Sequence, residues 1–320
     1  MSNAWQDLRI LTGNDWCSVR GDPSCVQLRR GAALSDPGAI PLWKRWQDAA
    51  LARIAVAHEQ IRQSVVFCGE SALAIHGVPQ WISNPDVEFT SGREYTASWF
   101  PRVDVGDQCV PRVRVRRVTR KHPLHGVGNV RGLLVEDLWT TSALIAAIHP
   151  PLEAFVAVSM ALRRLSRFDR RDLAGSRARE EEARRILLEL VAQGEDVGAY
   201  GMGRARRVVL AADAGCESVG EAALLYVLTA TSHEAPATQV PVRMRGGREF
   251  FLDVAVPGQR KAWELPPEQS FQREAARPAG SLPQHLGPVR LPLPTACLAL
   301  RRTREQPRPR AAVPLREFQT

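Results

Sequence analysis

Two carboxylates, Asp253 and Glu264, flank a Pro-Gly pair in FFLDVAVPGQRKAWELPP, residues 250–267. Alternating apolar and polar positions on both sides of Pro257-Gly258 predict two short strands joined by a turn. With Gly258 and Gln259 as a two-residue turn, Asp253 faces Glu264, and such cross-strand Cβ atoms are about 4.5–5.5 Å apart. Carboxylates that close repel unless a cation stands between them, and Mg²⁺ prefers such oxygen ligands. A metal there would polarise a phosphodiester and lower the pKa of an attacking water. Glu221, in the first turn of a helix predicted over 219–231, would add a third oxygen. The structural alternative is equally specific: Ser218-x-x-Glu221 is a capping-box pattern, and Asp253 and Glu264 would then be solvated strand charges.

A second chemistry is written in VPRVRVRRVTRKH. Strict alternation predicts a strand with Arg112, Arg114 and Arg116 on one face and Val113 and Val115 on the other. Between 110 and 131 there are seven Lys/Arg and no acid, a basic stripe suited to phosphates. Arg29 and Arg30, in CVQLRRGAAL, read as a further basic pair near the end of a strand, before Gly31.

The third constellation lies in CGESALAIHGVPQWISNPDVEF. A turn and helix start at Gly69 and Ser71, followed by Asp86 and Glu88 on one strand face, resemble the phosphate turn and paired carboxylates of nucleotidyltransferases. A helix N-terminus binds phosphate through free N–H groups. Against that reading, the turn carries Glu70 where triphosphate would sit, and the next strand offers arginines instead of a third carboxylate. His76, before Gly77 at the helix end, fits the helix dipole as a capping or packing residue.

Positioning these groups requires a mixed set of elements. Apolar spacing predicts a helix over 42–63, a short strand at 65–68 running into a helix from Ser71, and strands at PDVEFT and at 239–244. Helices are expected near 141–149, 152–165, 177–193 and within GMGRARRVVLAADAG, with Pro150-Pro151 breaking the first two apart. Residues 13–25 carry too much Gly and Pro for a helix. From 277 to 320 there are eight Pro, eight Arg and two acids without periodicity, a low-complexity composition.

Composition bounds the rest. The chain has 320 residues, 44% hydrophobic, with 43 Lys+Arg against 34 Asp+Glu and a formal net charge of +9. That supports real cores rather than a disordered chain and favours a polyanionic partner. Six cysteines (17, 25, 68, 109, 216, 297) show no CxxC or metal spacing, as in a reduced, cytoplasmic protein. No apolar run approaches the ~18–20 residues of a membrane span, and the N-terminus has no apolar signal core.

The series SVGEAALLYVL, QVPVRMRGGREFFLDVAVPGQRKAWE, preceded by CGESALAIHGVP, NPDVEFT, VRVRR and LLVEDLWTTSALIAAIHPPLEAFVAVSMALR, resembles an actinobacterial family. Those proteins join an AbiEi-like antitoxin region to a Vsr-like endonuclease half of the PD-(D/E)XK type. The resemblance covers roughly 25–265. It matches Ser218, Gly220 and Glu221 at the helix start, Asp253 on the hairpin and Glu264 eleven residues later. It implies Mg²⁺ held by Asp253 and Glu264, with Glu221 completing the catalytic set, DNA as partner and a possible cognate toxin. It also implies a winged helix-turn-helix near the N-terminus, with VQLRRGAAL as its wing and Arg29 and Arg30 reaching phosphates.

The departures fall at the chemistry. The family continues after its Glu with an aromatic-Asp-Gly turn and a basic or His residue, whereas Glu264 is followed by Leu265, Pro266 and Pro267. The abrupt change predicts a frameshifted or degenerate gene beyond codon 265, testable by translating the other two frames. The expectation is therefore an α/β protein with five regions: 1–63 N-terminal, 64–140 AbiEi-like α/β, 141–215 helical connector, 216–265 partial endonuclease half, and 266–320 Pro/Arg tail. Nuclease activity is expected to be weak or absent, and the sheet edge after Glu264 open.

Overall fold

A computed structural model describes residues 10–18, 22, 25–35, 42–82, 84–105, 108–119, 126–243 and 249–265. The expected tail at 266–320 lies outside them, as do residues 1–9, 19–21, 23 and 24 of the segment 1–24 in which the resemblance implies the winged-helix helices. The fold is α/β, and its sheets are mixed or antiparallel rather than purely parallel.

The N-terminal sheet has order β1-β3-β2, with β1 Ile10–Thr12, β2 Cys25–Arg29 and β3 Ala32–Ser35. The single strand expected in CVQLRRGAAL is two, because Arg30 and Gly31 form the turn and Gly31 supplies φ +87°. The expectation of no helix near residue 15 is also corrected: Gly13–Ser18 forms α1, one and a half turns with Asp15 in its first turn, where a carboxylate complements the helix dipole.

Helix α2, Leu42–Gln60, packs under a six-stranded sheet. Its strands are β4 Val66–Phe67, β5 Val87–Thr90, β6 Ser98–Phe100, β9 Val113–Arg117, β10 Val127–Val130 and β11 Leu133–Glu136, in the order β10-β11-β4-β5-β9-β6. The pairs β11/β4 and β5/β9 are parallel and the other three antiparallel. A small hairpin, β7 Val103–Val105 and β8 Gln108–Val110, sits between β6 and β9 in the chain. Ala52 and Val56 of α2 share one apolar cluster with Phe67, Phe89 and Val115 of this sheet and with Val26, Leu28 and Leu34 of the N-terminal hairpin. That core crosses the boundary drawn at 63/64.

Helix α3, Gly69–Ile75, follows β4, and His76 caps it. A ring nitrogen of His76 lies 2.8 Å from the Glu136 carbonyl oxygen, joining α3 to β11. The helical part comprises α4 Leu138–Ile148, α5 Pro151–Ser166, α6 Leu173–Asp196 and α7 Met202–Ala211. Pro151 opens α5 at the position that tolerates proline. Helix α8, Val219–Thr231, precedes a sheet of order β12-β13-β14: Ala237–Arg243, Glu249–Val256 and Lys261–Trp263. Phe155 and Ile145 cluster with Leu225 and Val254, so this last unit is buttressed by α4 and α5 across the 215/216 boundary.

Candidate functional site

The hairpin carboxylates meet. Ladder pairs Val254↔Trp263, Ala255↔Ala262 and Val256↔Lys261, continued one step, set Asp253 opposite Glu264. The turn differs from the expected two residues: Pro257–Gln259 is a 3₁₀ turn and Arg260 takes φ 52°, a four-residue loop with the same centre. The Leu265 N–H donates to Asp253 Oδ2 at 3.4 Å. Burial first, then the field of Glu217, raises the Asp253 carboxyl. Burial and then Asp253 itself raise Glu264, as a pair sharing a proton requires.

Glu221 is committed locally. Its N–H donates to Ser218 Oγ at 3.2 Å, Ser218 Oγ donates to its Oε1 at 2.9 Å, and the Glu217 N–H donates to its Oε2 at 2.7 Å. This is a variant of the capping box, with the carboxylate reaching the N–H one residue before the cap. Among the described residues, Glu221, Asp253 and Glu264 do not bring three ligand oxygens within 4.8 Å of one another. The hairpin fits Mg²⁺ only as a two-carboxylate site completed by water. The basic group near the pair is Arg170, which acts electrostatically on both carboxyls and lies 3.4 Å from Glu217. Sequence reasoning missed it because it comes from the loop before α6. A guanidinium stays charged and cannot take a proton from water.

The arginine strand is an exposed face. Val113 and Val115 of β9 are buried while Arg112, Arg114 and Arg116 are exposed. Their roles differ. Arg116 ion-pairs with Glu88 at 2.5 Å and Asp86 at 3.6 Å, so it is neutralised within the chain. The Arg112 guanidinium lies 4.6 Å from the Trp99 ring centroid, and Trp99 pairs directly with Arg114 across β6/β9. Trp99 is 50% exposed. An exposed indole between two arginines was not singled out from sequence, although SWF, alternating against the buried Phe100, carried the signal.

A buried group holds this edge. Arg53 of α2, fully buried, donates through Nη1 to Asn84 Oδ1 (2.5 Å) and through Nη2 to the Pro101 and Pro111 carbonyls (2.9 and 3.2 Å). Those carbonyls flank Phe100 and Arg112. Burial pulls the Arg53 pKa down to about 10. Of the N-terminal pair, Arg29 stacks over Phe100 at 5.0 Å, bringing the β2–β3 hairpin beside the same edge, and Arg30 is exposed at its turn.

At α3 the phosphate-turn reading finds no room. The Glu88 N–H donates to Ser71 Oγ at 2.8 Å, and Glu88 Oε2 accepts weakly from the Glu70 N–H at 3.4 Å. Gly69 has φ +57°, and a Cβ there would stand 2.2 Å from Glu88 Oε2. The chain's own carboxylate therefore occupies the position an incoming phosphate would need.

No protein-family model, curated protein or solved structure matches the chain.

Proposed function

We propose that the protein associates with DNA through the β6–β9 edge, with Trp99, Arg112 and Arg114 as its centre, and that its carboxylate hairpin cleaves DNA weakly or not at all. The observation that carries this reading is the half-exposed Trp99 held between two exposed arginines, one of them stacked on its ring. A base can stack on such an indole, at about 1–3 kcal/mol per base, while the guanidinium groups contact phosphates. Arg30 and Arg102 extend the basic surface; Arg102 is 3.5 Å from Asp104, both largely exposed, a pair that contributes little in water. Arg116 is expected to be dispensable for binding, being paired with Asp86 and Glu88.

The weak-nuclease part rests on the hairpin. Asp253 and Glu264 supply two ligands and Arg170 a fixed positive charge, but Glu221 is engaged as a cap and Lys261 lies at the odd, opposite phase of β14. In cleavage, Mg²⁺ would supply the Lewis acid. The residues described here would orient it through two carboxylates and leave the attacking water without a base. No helix among the described residues is long and apolar enough to cross a membrane, and Cys17, Cys25, Cys68, Cys109 and Cys216, none of them in a disulfide, suit a cytoplasmic site of action.

The second reading is an antitoxin-like DNA-binding regulator without catalysis and with a cognate toxin as partner, in keeping with the AbiEi-like resemblance. It is favoured by the β1-β3-β2 order, in which a two-stranded wing carries Arg30 at its turn. Helix α1, at six residues, spans only about 9 Å, short for a recognition helix.

Fluorescence anisotropy with labelled single- and double-stranded DNA tests the proposal. Trp99→Ala and Arg114→Ala are each expected to weaken binding about tenfold or more, with Arg116→Ala near wild type. Equal binding by all three variants would overturn it. Mg²⁺-dependent cleavage abolished by Asp253→Ala would overturn the statement about the hairpin.

A further inference from the structure

Glu70 is remote in sequence from His149 and Glu153, themselves an i,i+4 pair, and the three come from three helix ends: the first turn of α3, the cap of α4 and the first turn of α5. One ligand atom of each lies within 4.8 Å of the other two. His149 Nδ1 stands 3.7 Å from Glu70 Oε1 and 3.8 Å from Glu153 Oε2. Both distances are too long for hydrogen bonds. They approach the roughly 3.4 Å between neighbouring ligands on a tetrahedral ion with bonds near 2.1 Å. All three side chains are largely shielded, at 16%, 14% and 27% exposure.

The three groups line a cavity of about 10 Å³ together with Gln80, Trp81 and Ile145, room for one water-sized body. Gln80 gives an independent indication. Its Nε2 donates to the Glu70 carbonyl at 3.0 Å, while its Oε1 is buried without a donor. The lining therefore offers two carboxyl groups, an imidazole nitrogen and an amide oxygen.

We propose that Glu70, His149 and Glu153 form a binding site for a divalent first-row transition metal of the zinc type, with the cavity beside Gln80 as the open coordination position. Imidazole selects this class over Mg²⁺ and Ca²⁺, which take all-oxygen sites. With metal bound, α3 is fastened to the α4–α5 corner at Pro150-Pro151, coupling the sheet to the helical unit. Its ligands are distinct from the hairpin carboxylates and from Trp99, Arg112 and Arg114.

The test uses the full chain stripped with a chelator and titrated with Co²⁺ and Zn²⁺. Wild type is expected to bind one equivalent and to show a Co²⁺ visible spectrum of low symmetry without a thiolate band, which separates this site from the cysteine thiols. Zn²⁺ is expected to raise the melting temperature by mass action. His149→Ala is expected to weaken binding about 100-fold, and the near-isosteric Glu70→Gln about tenfold or more, while Asp253→Ala/Glu264→Ala binds as wild type. Failure of the wild type to bind one equivalent would overturn the proposal. So would unchanged isotherms in both His149→Ala and Glu70→Gln; the second variant keeps the test decisive if the first fails to fold.

Discussion

Burial pushes the Glu221 carboxyl up to about 7, against the hydrogen bond from the Glu217 N–H and with help from Asp253. Its folded value thus exceeds the ordinary 4.5, so the folded chain holds that proton more tightly. The resulting stability is complete below about 4.5 and is lost as pH rises through about 7. His149 has the opposite sign: lowered from 6.5 to about 4, it adds stability as pH rises between those values and is flat above them. Glu70, raised to about 8 by burial and then by Glu88, acts in the same direction as Glu221. Melting temperature is therefore expected to fall between pH 6.5 and 8, the region above the His149 titration. Glu221→Gln preserves the capping box and should make that fall shallower, by at most about 1.4 kcal/mol per pH unit; an identical slope in thermal melts would contradict the assignment. At Gly69, the left-handed backbone and the Glu88 carboxylate exclude any side chain. Gly69→Ala is expected to cost about 2 kcal/mol or more in urea unfolding.

Among the elements, α8 depends on its first turn. Ser218→Ala removes the acceptor for the Glu221 N–H and the donor to its carboxylate, and a loss of about 1 kcal/mol is expected in chemical denaturation. Much at this scale was legible in the sequence. Helix α8 coincides with the expected 219–231, α2 follows its apolar spacing, and β9 its strict alternation. The Asp253–Glu264 opposition was legible because period-two register depends on the centre of the turn, not on its type. What escaped did so for physical reasons. Arg170 reaches the hairpin only through tertiary packing, and Glu70 meets the i,i+4 pair His149 and Glu153 only once the chain is folded. The strand expected to carry Arg29 and Arg30 before Gly31 ends at Arg29, and Gly31 at positive φ turns the chain into a second strand.

Across the whole molecule, the helical part is fastened to the last sheet by charge. Arg177 contacts Glu180 at 2.6 Å, Asp213 at 2.8 Å and Thr238 Oγ1 at 2.8 Å, and Glu180 in turn pairs with the buried Arg184 at 2.5 Å. Burial alone would raise Asp213, but Arg177 holds it below the ordinary carboxylate value. Arg177→Ala leaves Asp213 and Glu180 short of a partner and is expected to cost about 3 kcal/mol, read as a lower urea midpoint. The same molecule turns its edge at Trp99, Arg112 and Arg114 outward, backed by the buried Arg53. The most direct test of that arrangement is the salt dependence of DNA binding by wild type and Arg112→Ala/Arg114→Ala. Wild-type affinity is expected to fall steeply with salt, with a log-log slope of about −0.9 per phosphate neutralised on duplex, and the double variant to lose about two phosphates' worth of that slope. A flat wild-type response, or the same slope in both proteins, would contradict DNA association through this edge.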